Sequence, residues 1–234
     1  MQRSKGNMYN FRNEIYTYNP IKGDCSHQCI YCYMKSIMLR YHQNPTLRLD
    51  QKELNIKMGR NRFIFLGSST DMFAADVPSE WIVAVLDHLY DFPENEYMFQ
   101  SKNPARFLEF VGHKLFTELK EQLIFCTTME SDIDHKGVSM APMIAARAAA
   151  MQKISSMGFQ TMITVEPVMM FSDALKFADL LASVNPVQVN IGANTNRQVK
   201  LIEPEKDEIL SLIKELEEHN ITVHQKDNLG RVLK

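Results

Sequence analysis

A chain of 234 residues, 45% hydrophobic and 23% charged, can build one substantial core and is too apolar to be disordered or fibrous. Its formal net charge of −2 excludes a global positive field, so a nucleic-acid substrate would need a local basic face. There is no apolar run of about 18 residues, and the polar start MQRSKGNMYNFRNEIY lacks the apolar stretch of a secretion signal, so a cytoplasmic protein without a membrane span is expected.

Residues 1–62 follow a pattern of their own, and from residue 63 onward apolar runs alternate with amphipathic stretches. Residues 63–66 read as a buried strand stopped by Gly67, and 78–91 as a helix with Ser79 and Glu80 in its first turn. Residues 97–99 form the next strand, followed by a helix that Pro104 opens at its first position. A strand is expected at 122–127. From Ala141 the pattern is helical, with Ile144, Ala148, Met151 and Ile154 on one stripe and Gly158 as the stop. Strands at 159–165, 187–191 and 221–223 alternate with helices at 171–184 and 205–218. The last helix carries Ile209, Leu212, Ile213 and Leu216 on one face.

A strand followed by a helix, repeated about every 30 residues, predicts a parallel sheet with right-handed crossovers. A closed eight-unit barrel needs ~250 residues. About six units fit, which gives an α/β fold: a partial (β/α)6 TIM-like barrel with outer helices. The whole chain, 1–234, is expected to be one domain, with 1–62 as an N-terminal segment and 63–234 as the remaining units.

Three of the four cysteines fall within eight residues, in Gly23-Asp-Cys25-Ser-His-Gln-Cys29-Ile-Tyr-Cys32-Tyr33. Three thiolates on one tight loop suit three corners of an iron–sulfur cubane and leave the fourth iron open, unlike the four-thiolate ligation of ferredoxins. Zinc is the alternative, since His27 within the loop would complete a Cys3His set, although the spacing is short for zinc. With a single cysteine left over, a second cluster with several cysteine ligands is not expected.

The C-x3-C-x-aromatic-C pattern, with Tyr31 as the aromatic, resembles the signature of the radical S-adenosylmethionine (radical SAM) superfamily. The match is nearest to the short spore-photoproduct-lyase-like and phage-associated members. The resemblance implies a [4Fe-4S] cluster on Cys25, Cys29 and Cys32, SAM at its open iron, and reductive cleavage of SAM to methionine and a 5′-deoxyadenosyl radical. It also implies an external electron donor of the flavodoxin or ferredoxin kind, and a substrate for which nucleic acid or a nucleotide is slightly favoured. A sensor or partner subunit that binds SAM without turnover is the other reading.

If Tyr97 and Phe99 face the helices, then Gln100 and Lys102 face the barrel lumen; by the same alternation Thr128 and Glu130, Thr164 and Glu166, and Gln188 and Asn190 point inward. The family's Gly-Gly-Glu-like SAM motif is replaced here by Gly67-Ser-Ser-Thr-Asp71, which resembles the lyase-like variant and implies Ser69, Thr70 and Asp71 near the SAM amino group. The same resemblance implies Lys102 near the SAM carboxylate, Thr128 near the ribose, and Arg147 assisting the carboxylate or buttressing the site. Glu166 is a further candidate at a strand end. Cys126 is a candidate hydrogen donor by analogy, and otherwise a buried small apolar residue. The 130–135 segment is expected to be a solvated loop, with a metal-binding or acid–base role as the alternative, and Met169 and Met170 to be core filler, with lining of a substrate pocket as the alternative; Lys57, Arg60 and Arg62 with Arg40, Tyr41 and His42 form either a phosphate patch or a solvated face.

Overall fold

The computed structural model describes residues 1–3, 14–196 and 198–234; the polar N-terminal stretch at 4–13 lies outside them. In chain order the elements are β1 (Gln2–Arg3), β2 (Ile15–Tyr18), β3 (Ile21–Lys22), α1 (Tyr33–Arg40), β4 (Arg48–Leu49), β5 (Phe63–Leu66), α2 (Ser79–Tyr90), β6 (Glu96–Gln100), α3 (Lys114–Glu118), β7 (Leu123–Thr128), α4 (Ile144–Ser156), β8 (Gln160–Val165), α5 (Ala174–Ala182), β9 (Gln188–Ile191), α6 (Lys206–Glu218) and β10 (Thr222–Gln225). The main sheet runs β1-β2-β5-β6-β7-β8-β9-β10. Seven of these strands are parallel and curl into a half-barrel, and β1 joins antiparallel at the β2 edge. β3 and β4 make a separate antiparallel ribbon. The expected α/β partial barrel is the observed architecture. The sixth strand–helix unit, β2 with α1, comes from the N-terminal segment and encloses the cysteines.

Alternation within the strands sorts their side chains onto two faces. Ile64 and Leu66, Tyr97 and Phe99, Leu123 and Phe125, Ile163 and Val165, and Val189 and Ile191 join the large core beneath the helices. The opposite set, Ile15, Phe63, Phe65, Met98, Ile124, Cys126 and Met162, forms a smaller apolar layer inside the curl. Above that layer, inward positions turn polar at Gln100, Thr128 and Thr164, which line a cavity. The fold therefore has an oily floor and a polar mouth at the C-terminal strand ends.

The outer helices are fixed by the apolar stripes read from the sequence. Ile144, Ala148, Met151 and Ile154 of α4 are buried, as are Ile209, Leu212, Ile213 and Leu216 of α6. Each such aliphatic side chain contributes ~1.5–3 kcal/mol by leaving water. Glu205 and Glu208 make a reciprocal capping box at the start of α6, and Asp173 caps α5 through the N–H of Lys176 at 3.1 Å.

Three helices differ from expectation. The Pro104 segment winds as a 3-10 helix, Pro104–Phe110, and only then does α3 begin, with His113 as its cap. Its tighter turn aligns residues three apart, which sends both Phe107 and Phe110 into the core. α4 starts at Ile144 rather than Ala141. Met143 is extended, Pro142 disfavours helix before it, and Asp134 accepts the N–H of Ile144 at 2.9 Å. α5 is shorter than expected because Asp173 supplies its cap from extended backbone.

Candidate functional site

A cavity of about 440 Å³ opens at the C-terminal ends of the strands, where barrel folds gather their polar groups. Cys25, Cys29 and Cys32 form part of one wall, on the loop between β3 and α1. The loop is built from two backbone turns, Gln28 N–H to Cys25 C=O at 3.1 Å and Cys32 N–H to Cys29 C=O at 3.2 Å. Gly23 opens it at φ +111°, where a Cβ would lie 2.4 Å from the Thr46 carbonyl oxygen, so only glycine fits.

The segment after β5 faces this loop. Gly67, at φ +80°, turns the chain so that residues 68–71 fold back toward the cysteines. The Thr70 hydroxyl donates to Gly23 C=O at 2.7 Å, and Tyr33 OH donates to Ser68 C=O. His27 Nε2 lies 2.8 Å from Asp71 Oδ2, and both side chains are almost fully buried. That same oxygen accepts from Ser101 Oγ at 2.9 Å and Lys102 N–H at 2.8 Å, while Oδ1 takes the N–H of Phe73 at 2.9 Å. Burial opposes ionisation of Asp71, but His27 and these donors outweigh it and hold its carboxyl below the usual range.

A second buried carboxylate sits just past β7. Glu130 accepts from Tyr31 OH and from Lys102 Nζ through Oε1, and from Arg147 Nη1 at 2.8 Å through Oε2. Burial alone would raise its carboxyl, yet Lys102 and Arg147 pull it down to about 2. Burial and the Glu130 charge in turn push the Tyr31 phenol well up, so it stays a donor. Across the cavity Glu166 accepts from Lys226 Nζ and, at 2.7 Å, from Asn228 Nδ2. Gly192 makes room for this pair: a Cβ there would lie 2.7 Å from Glu166 Oε1 and 2.9 Å from Asn228 Oδ1.

The cavity wall brings together Cys25, Cys29, Cys32, Tyr31, Ser69, Asp71, Lys102, Thr128 and Glu166. Three other sequence candidates stand behind it. Thr70 is turned to Gly23, and Arg147 is buried under the strand ends on Glu130, Thr128 C=O and Pro142 C=O. Cys126 is fully buried in the floor, its sulfur 3.5 Å from Thr164 Oγ1.

The 130–135 segment is not simply a solvated loop: Glu130 and Ser131 are buried, and Asp134 caps α4. Met169 packs fully buried, as filler. The basic run at 57–62 lies away from the cavity. It precedes β5 at the opposite end of the sheet, where Arg60 pairs with Glu94 and Arg62 bonds Met58 C=O beneath the Tyr16 ring. Sequence reasoning missed the roles of His27, Glu130 and Lys226. For Glu130 the signal was available in its inward parity with Thr128.

Burial, seconded by the Asp71 charge, pushes the Cys25 thiol up to about 12, and burial raises Cys32 as well. Among the described residues no group of three or more His, Cys, Asp or Glu is gathered at metal-binding distance. The donors themselves suit an iron–sulfur cluster, which is held by cysteine thiolates.

The family described as "Protein of unknown function (DUF5131)" matches residues 12–169. The chain belongs to this family. No curated protein matches it. Among solved structures, this DUF5131 chain is similar to a spore photoproduct lyase variant with bound AdoMet and dinucleoside spore photoproduct. The TM-score is 0.61 at 12% identity over 89% of this chain and 75% of the other. It is also similar to spore photoproduct lyase complexed with dinucleoside spore photoproduct, with a TM-score of 0.59 at 12% identity over 88% and 74%. At that identity the likeness is one of fold. Among the described residues no helix is long and apolar enough to cross a membrane.

Proposed function

We propose that this protein is a radical SAM enzyme whose cluster is held by Cys25, Cys29 and Cys32 and whose substrate is a nucleic acid or nucleotide. The observation that carries the reading is that the three thiols share one cavity with Asp71, Lys102, Thr128 and Glu166 at the polar mouth of a half-barrel. The fold likeness to spore photoproduct lyase, including a structure with AdoMet bound, supports it. When bound, the cluster and SAM supply one-electron cleavage of the sulfonium and a carbon-centred radical that abstracts hydrogen.

The chain's own residues bind, orient and shield. Ser69 and Asp71 line the cavity where an ammonium group would sit, and Oδ1 of Asp71, which among the described residues takes the N–H of Phe73, has capacity for a further donor. Lys102 offers its ammonium to a carboxylate, with Glu130 and Arg147 fixing where that ammonium sits. Thr128 presents a hydroxyl suited to a ribose, backed by Gln100 Nε2 at 3.2 Å. Tyr31 flanks the same space, and Glu166 with Lys226 closes its far side. The apolar floor, with Cys126 in it, keeps water from below the reacting centre. A hydrogen-donor role for Cys126 would require it to act from beneath Thr164. Thiol ligation goes with a reducing, cytoplasmic compartment and an external electron donor of the flavodoxin or ferredoxin kind.

The test is anaerobic reconstitution followed by reduction in the presence of SAM, with Cys29→Ala as control. Iron and sulfide in equal amounts and 5′-deoxyadenosine that disappears in Cys29→Ala are expected. A cluster that binds SAM without cleaving it would favour a sensor or partner subunit, and zinc without sulfide would overturn the reading. Salt-sensitive binding of single-stranded oligonucleotides tests the substrate class.

A further inference from the structure

The loop that carries the cysteines is tied to the barrel by side chains that are not cysteines. His27, inside the C-x3-C stretch, reaches Asp71 after β5, and Tyr31, inside the C-x2-C stretch, reaches Glu130 after β7. Each half of the motif therefore has one buried carboxylate of its own. The two carboxylates are themselves joined through the segment just past β6: the Lys102 N–H donates to Asp71 while its Nζ donates to Glu130.

From the other side, residues 138–140 hold the same two halves. Met140 N–H and Ser139 Oγ donate to His27 C=O at 2.7 and 3.2 Å, and Ile30 N–H donates to Val138 C=O at 2.9 Å. Such a frame is costly unless it is used. Two buried carboxylates must be desolvated, and most of their hydrogen bonds go to the cysteine loop or to residues just past the strand ends that face it.

We propose that His27 and Glu130 are positioning residues that hold the cysteine loop against the strand ends, with its thiols at the cavity wall, before any cluster is present. His27 acts by locking the first half of the loop to Asp71, and Glu130 by locking the second half through Tyr31. The cluster-dependent readout below rests on the radical SAM reading, whereas the thiol readout does not. In the cluster-free protein the fixed loop keeps Cys29 buried and Cys25 and Cys32 half-buried; with one tie cut, the half it held opens. In the loaded protein the same cut changes the field and geometry around the sulfurs, which tune the potential of such clusters.

The experiment uses the full chain. Cluster-free, reduced protein is treated with iodoacetamide, and alkylation of each cysteine is followed by peptide mass spectrometry, with fully buried Cys126 reporting global unfolding. His27→Ala is expected to speed alkylation of Cys25 and Cys29 about tenfold while Cys126 stays protected, and His27→Gln, which can still donate to Asp71, to restore most of the protection. Tyr31→Phe, which removes only the hydroxyl that Glu130 holds, is expected to speed Cys29 and Cys32. If His27→Ala also exposes Cys126, Tyr31→Phe decides alone.

Reconstituted His27→Ala should further show a shifted midpoint potential and an altered electron paramagnetic resonance signal, with His27→Gln close to wild type. Alkylation rates within twofold of wild type in both His27→Ala and Tyr31→Phe would overturn the proposal. If wild-type protein assembles no cluster, the radical SAM reading fails and the alkylation pattern still judges the ties.

Discussion

Replacing Glu130 by Gln removes the charge on which Lys102, Arg147 and Tyr31 converge. Its side chain is 7% exposed and that of Arg147 4%, so solvent screens this pair little. The carboxyl lies at about 2 in the folded chain against an ordinary 4.5, and such a depression corresponds to ~3 kcal/mol of folding free energy. Removing one member of a buried pair typically costs ~3–5 kcal/mol, the same order. Arg147 keeps Thr128 C=O and Pro142 C=O, and the Gln amide oxygen can still accept, which argues for the lower end.

Because the folded carboxyl is the more acidic, its contribution is whole above pH 4.5 and drains away as the pH falls toward about 2. Urea unfolding of cluster-free, reduced protein should show Glu130→Gln less stable by ~3 kcal/mol at pH 7. The gap to wild type should narrow steadily below pH 4.5. Other acids that titrate in that range cancel in the comparison. A loss under ~1 kcal/mol at pH 7, within the range of exposed pairs, or a gap that persists in acid, would refute the electrostatic account.

Lys102→Met should weaken SAM binding by the reconstituted protein ten- to a hundredfold in equilibrium dialysis, as expected from losing ~1.5–3 kcal/mol of charged hydrogen bonding; unchanged binding would remove Lys102 from the site. Gly192→Ala should displace Glu166 and Asn228, since its Cβ would lie under 3 Å from both, and cost ~1–3 kcal/mol of stability, read as a lower Tm. Leu212→Ala, in the fully buried stripe of α6, should cost ~2–5 kcal/mol in urea unfolding with no change in cysteine alkylation.

The sheet and its helices were legible because both write periodic patterns: alternation placed Gln100, Thr128, Thr164 and Glu166 inward, and the stripes of α4 and α6 are buried as read. β2 was not legible. Four residues, IYTY, offer no clean alternation, and their place in the sheet comes from pairing with β5. The 3-10 turn at Pro104 and the late start of α4 carry no periodic signal: His113 caps α3 two residues before Leu115, and Asp134 reaches the Ile144 N–H from ten residues upstream. The cysteine motif declared itself by spacing. Its ties did not, because His27–Asp71 and Tyr31–Glu130 span 44 and 99 residues, and a lone His or Glu carries no periodic signal.

From β5 to β10 the order of strands in space is the order of strands in the chain. Each new strand and its helix can dock on a unit already in place, with no earlier pairing undone. A chain emerging from the ribosome can therefore extend its sheet one hairpin-sized step at a time, and loop closure is never asked to span more than a neighbouring unit. The long-range ties of the cysteine loop invert this logic. Glu130 arrives only after four strands of the parallel sheet have preceded it, so the loop between β3 and α1 waits on later synthesis to be locked. The cysteines are made well before the carboxylate that ties the second half of their loop, which leaves a window during biogenesis in which they are open to thiol-reactive species.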